Sequence, residues 1–170
     1  MIGDNLIQQT AEIIDDHFHN YENVFGVAAV PTATHFGDLE GLNPFHLVSG
    51  AAAFGAAVGL IGTADTPVRP EKILFDPRRV SITDTSSANP YILRIIWGTP
   101  AQTPAQAVIA KQYTDQVIQQ QTANGQNKPQ DIWCVRIPTG YQLWGEVKSA
   151  TNLASIDILI MMHEYPSPSP

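Results

Sequence analysis

The chain has 170 residues and a mass of 18.5 kDa, enough for one domain with a full core or a domain plus an arm. Charged residues make up 15% of it, against about 25% in an average globular protein. Its 9 basic and 16 acidic residues leave a net charge of -7, which argues against nucleic acid and anionic membrane surfaces, since both are bound through clustered Lys and Arg.

The first predicted element is a helix. Asp4 or Asn5 can cap its first turn, and Ile7, Ala11, Ile14, Phe18, Tyr21 and Phe25 follow in steps of four and three. That spacing is the seam of helix-on-helix packing. Asp15, Asp16, Asn20 and Glu22 lie off the seam, and Gly26 is a helix stop. Residues 1–26 read either as a helix packed on its own domain or as an arm that packs against copies of itself. The residues Met1-Ile2-Gly3-Asp4-Asn5 lack the charged-then-apolar pattern of a secretory signal, so synthesis in the cytoplasm is expected.

Beyond Gly26 the prolines recur at short intervals and leave little room for long helices. Leu47 to Gly62 is apolar but too short to span a bilayer, which takes about 20 residues; a buried strand pair is expected. Gly50, Gly55, Gly59 and Gly62 fit bulges and close strand packing better than a nucleotide loop. Val80 and Ile82 alternate with Ser81 and Thr83, and Tyr91 to Trp97 is rich in β-branched and aromatic residues. Ala105 to Thr122 mixes helix formers with strand formers and is taken as a strand, with a turn at Asn124-Gly125. Trp133, Val135 and Ile137 alternate with Cys134 and Arg136. Leu143 and Val147 face away from Trp144, Glu146 and Lys148, while Ile156, Ile158, Ile160 and Met162 share a face. Such alternation marks half-buried antiparallel strands. The expected fold is mainly β: an antiparallel β-sandwich, jelly-roll-like, over residues 27–165, preceded by the N-terminal α-helix. The tail, residues 166–170, should be extended.

No motif for chemistry stands out. The P-loop, H-E-x-x-H and G-x-S-x-G patterns are absent. A lone cysteine permits neither an intrachain disulfide nor a cysteine-based zinc site in one chain, and Cys134 reads as an inert core thiol. The five histidines read as surface or hydrogen-bonded groups, with His35, Asp38 and Glu40 as the composite metal site considered. Arg78-Arg79 can either grip a partner's carboxylate or pair locally with Asp76 or Glu71. Trp97, Trp133 and Trp144 suit a core or a subunit interface better than a sugar platform. No enzyme activity, metal or cofactor is expected; a β-fold hydrolase with dispersed carboxylates is the remaining enzymatic alternative.

A set of motifs in a fixed order points further. They are His19-Asn20-Tyr21-Glu22-Asn23-Val24-Phe25-Gly26, Phe45-His46-Leu47-Val48-Ser49-Gly50, Leu60 to Pro67, Ile73 to Val80, Leu143 to Ala150 and Ile158 to Tyr165. In this order the chain, from about residue 17 to 165, resembles a group of small structural proteins of tailed bacteriophages, the head decoration or cement proteins. At Asn23-Val24 it departs from that pattern, where a larger basic-aromatic pair is expected. The resemblance implies a virion protein on the outer surface of the head, partnered by the major capsid protein and by itself as a homo-oligomer, a trimer by analogy with three-fold lattice positions. It brings no catalytic residues. Ile7, Ala11, Ile14, Phe18, Tyr21, Phe25, Arg78 and Arg79 are the candidate interface. The alternative is a tail-associated or receptor-binding virion protein that holds host glycans with its aromatics.

Overall fold

The computed structural model describes residues 44–63, 74–119 and 129–165. The predicted helical arm, the Asn124-Gly125 turn, the Pro/Ser tail and the candidate residues Ile7, Ala11, Ile14, Phe18, Tyr21 and Phe25 lie outside them.

The described chain is mainly β, with 55% strand and 6% helix, and every strand pairing is antiparallel. One sheet contains β1 (Phe45–Val48), β9 (Ser155–Tyr165), β3 (Leu74–Thr85) and β6 (Gln130–Asp131) in that order, and β7 (Ile137–Pro138) also pairs with β3. The other contains β2 (Val58–Ile61), β8 (Gln142–Ser149), β4 (Tyr91–Gly98) and β5 (Tyr113–Ile118). Apart from β4–β5, which pair directly, and β6–β7, which stay in one sheet, successive strands pass between the sheets, so most pairing is non-local. The predicted faces appear where alternation was clearest: Val80 and Ile82 on β3, and Ile156, Ile158, Ile160 and Met162 on β9, all enter one apolar cluster. Leu60, Ile61, Leu93, Ile95, Leu143 and Val147 from the other sheet join that same cluster.

Three expectations need correction. Leu47 to Gly62 does hold two strands, but β1 and β2 pair with β9 and β8 in different sheets, not with each other. The glycines between them permit the crossover: a Cβ on Gly55 would fall inside the carbonyl oxygen of Val48, so the loop can fold back only with hydrogen there. Next, Ala105 to Thr122 is not one strand. It begins as a short helix, α1 (Pro104–Ile109), and becomes β5 only at Tyr113. The Thr103 hydroxyl accepts from Gln106 N–H and the Gln106 side chain accepts from Thr103 N–H, a capping box with Pro104 at the first helical turn. Lys111, at φ 62°, closes the helix: its N–H donates to Val108 and that of Gln112 to Ala107, the paired bonds of a Schellman stop. Thirdly, Trp133, Val135 and Ile137 do not share a face: Ile137 is in the core with Ile132 and Cys134, while Trp133 and Val135 project outward.

α1 covers part of the outer face of the four-stranded sheet. Ala107 packs there with Ile96 and Trp144, and Val108 and Tyr113 lean on them. This explains why consecutive Ile95 and Ile96 are both buried: β4 is covered on both faces.

Candidate functional site

The paired arginines sit on β3, where its register against β9 shifts between Pro77 and Arg79. The irregularity leaves Arg78 as the extra residue of a bulge, a position that also tolerates Pro77, which has no N–H for the ladder. The bulge sends the two neighbouring side chains to different places. Arg79 reaches out to Asp131 on β6, with Nε 2.8 Å from Oδ1 in an exposed pair. Arg78 turns back, its Nε donating to Asp76 Oδ1 at 3.0 Å and its Nη2 to the Tyr165 hydroxyl at 3.1 Å. Tyr165 in turn donates to Asp76 Oδ2 at 3.1 Å, which closes a three-residue ring.

Asp76 has no exposed surface, and burial pushes its carboxyl above the usual carboxylate range even though Arg78 and Tyr165 pull the other way. The Arg136 guanidinium lies 4.1 Å over the Tyr165 ring. Cys134 is buried nearby; burial first, and then the charge of Asp76, push its thiol up to about 12, so it is no nucleophile at neutral pH. Local pairing with Asp76 therefore describes Arg78, one of the two readings weighed for it, while Arg79 pairs with Asp131, a partner not foreseen.

Beside this ring the edge of the five-stranded sheet is broken. Between β6 and β7 the chain stays against β3 through Ile132 N–H to Arg78 C=O at 2.8 Å, but it forms no regular ladder. Trp133 is 75% exposed and Val135 54%, while Trp144 is buried and Trp97 leans on the core. Of the three tryptophans, only Trp133 contributes almost nothing to the core of this chain.

A second polar node lies on the outer face of the other sheet. The Arg94 guanidinium donates to both oxygens of Asp115, at 2.7 and 2.8 Å, and to Glu146 Oε1 at 3.2 Å. It stacks between the rings of Phe54, at 3.8 Å, and Tyr113, at 4.2 Å. Burial raises the Glu146 carboxyl, and Arg94 opposes the shift. None of Arg94, Asp115, Glu146 and Phe54 stands out in the sequence. They meet because β4 sits between β5 and β8 in a register that puts Arg94 opposite both acids.

Other polar groups serve the framework. The buried Ser49 hydroxyl donates to Thr151 C=O and accepts from Ala154 N–H, both at 3.0 Å. His46 Nδ1 meets Asp157 Oδ1 at 2.6 Å. Among the described residues no three His, Cys, Asp or Glu side chains gather in a metal-binding group, and no helix is long and apolar enough to cross a membrane. The chain matches no family model, and neither curated proteins nor solved structures show a significant similarity to it.

Proposed function

We propose that the chain is a structural virion protein that binds and stabilises a bacteriophage capsid, a decoration or cement protein on the outer surface of the head. The two sheets that share one core read as a jelly-roll-like β-sandwich, and the sequence predicts a helical arm before it, with its seam at Ile7, Ala11, Ile14, Phe18, Tyr21 and Phe25. The protein works by contact and not by catalysis, as a homo-oligomer, a trimer by lattice analogy, against the major capsid protein. The observation that carries the reading is the exposure of Trp133 and Val135 on a segment whose alternate residues, Ile132 and Cys134, anchor in the core. A rigidly backed tryptophan is a strong contact residue, because its burial by a partner costs little conformational entropy. The polar nodes support the same reading: Arg94 ties β4 to acids on β5 and β8, and Arg78 pairs with Asp76 on its own strand and bonds Tyr165 on β9, so both serve the framework. The ordered motifs that resemble phage head proteins point the same way.

The test is to add the purified chain to heads that lack it and to follow sedimentation. Saturable co-sedimentation, with heads that withstand heat better, is the expected result. A chain that stays in the supernatant at every ratio would refute the proposal. The exposed Trp133 ring also favours a second reading, a tail or receptor-binding protein that stacks host sugars on it. Glycan-array binding lost in Trp133→Ala, with labelling on tails in micrographs, would select that reading.

A further inference from the structure

We infer that β5 is a self-association edge, at which a second copy of this chain adds its own β5 in antiparallel fashion across a two-fold axis. The inference stands apart from the virion reading and requires no capsid: a two-fold contact joins two copies and is a different surface from the three-fold contact of the proposed trimer.

β5 ends the four-stranded sheet. Trp97 N–H donates to Gln112 C=O at 3.0 Å, and the register runs on without a shift to Tyr91 opposite Ile118. In an antiparallel ladder bonded pairs alternate with non-bonded ones. The Gln112 C=O and the N–H and C=O groups of Thr114, Gln116 and Ile118 therefore turn toward β4, and Tyr113, Asp115 and Val117 turn theirs outward. Among the described residues no strand receives those outward groups. The next outward residue, Gln119, is satisfied differently: its N–H donates to Gln130 Oε1 at 3.1 Å, and its C=O accepts from Gln130 Nε2 at 2.7 Å. A side-chain amide takes the place of a neighbouring strand and closes that end. The open stretch is thus Tyr113–Ile118.

Edge strands that must stay solitary are protected by Pro, Lys, bulges or unpaired charge. β5 has neither Pro nor Lys and no register shift, and its one charge, Asp115, is folded back onto Arg94. Among the described residues, three of the six exposed large hydrophobic ones lie on or beside it: Ile109 just before the strand, Val117 on it and Ile92 opposite Val117.

A second copy fits this edge because the edge complements itself. An axis through Asp115 sets Tyr113 of each copy opposite Val117 of the other, an aromatic and β-branched pair at both ends. The three outward residues of each strand then exchange about six backbone hydrogen bonds, and the two sheets become one. The two Asp115 carboxylates that meet at the axis are each compensated by their own Arg94.

Amide hydrogen exchange, read residue by residue at low and high protein concentration, tests the inference. The amides of Tyr113, Asp115 and Val117 should become protected as concentration rises, while those of Thr114, Gln116 and Ile118 stay protected throughout. Val117→Pro deletes an outward N–H that β4 does not use, so the fold should persist while self-association weakens roughly tenfold. If the three outward amides exchange equally fast at both concentrations, the inference is overturned, whether the chain is a monomer or assembles through another surface. Head binding by the same samples reports on the capsid proposal separately.

Discussion

Asp76 has its charge buried between a guanidinium and a phenol, and the sign of its pH dependence follows from that place. Its folded-state pKa lies above the unfolded value of 3.8. Its contribution to stability is therefore complete below that unfolded value and is lost as pH rises through the folded one. Asp76→Asn should remove this dependence. The difference in melting temperature between the parent and the variant should favour the parent more as pH falls from 7 toward 4, and a constant difference would contradict the account. Asp76→Ala leaves the Tyr165 hydroxyl and Arg78 without their acceptor and should cost about 1–3 kcal/mol in a denaturant titration. Trp133→Ala should act in the opposite way. The ring is exposed, so stability should change by less than about 0.5 kcal/mol, while binding to heads falls at least tenfold if the ring is a contact residue.

At the scale of elements, α1 ends on Lys111 in a left-handed conformation, which glycine occupies at lower steric cost. Lys111→Gly should raise stability by about 0.5–1 kcal/mol, read as a higher denaturant midpoint with an unchanged slope. Gly55→Ala should lower it by about 2 kcal/mol or more, because the new methyl meets backbone at the β1–β2 crossover. The same residues show what a linear reading can capture. The β9 face is legible because Ile156, Ile158, Ile160 and Met162 hold every second position. Thr103-Pro104 with Gln106 is a written helix start, but the stop at Lys111 is not, since it lacks the expected glycine; the strand-like Val108, Ile109 and Tyr113 then carried the reading past it. Strand partners were hidden: nothing in Leu47 to Gly62 says that its two halves join different sheets. The nodes were hidden too, because the bulge that separates Arg78 from Arg79 and the register that gathers acids on Arg94 arise only on pairing. At residues 132–137 the burial of Cys134 and Ile137 is legible, but the outward turn of Trp133 and Val135 is not, because an alternating Trp and Val normally mark a core face.

For the whole molecule, the proposed role combines a β body with a helical arm that anchors it. Ile14→Asp together with Phe18→Asp should abolish assembly and leave the β body folded, as judged by its circular dichroism and scattering mass. Loss of the fold would instead make the helix part of the core. The central claim is that the chain serves as a building part of a phage head. Cryo-electron microscopy of heads reconstituted with the purified chain tests it most directly: the account predicts density for the two sheets at repeated positions on the outer shell, with Trp133 at the contact. Bare shells at saturating protein, or density confined to the tail, would contradict it.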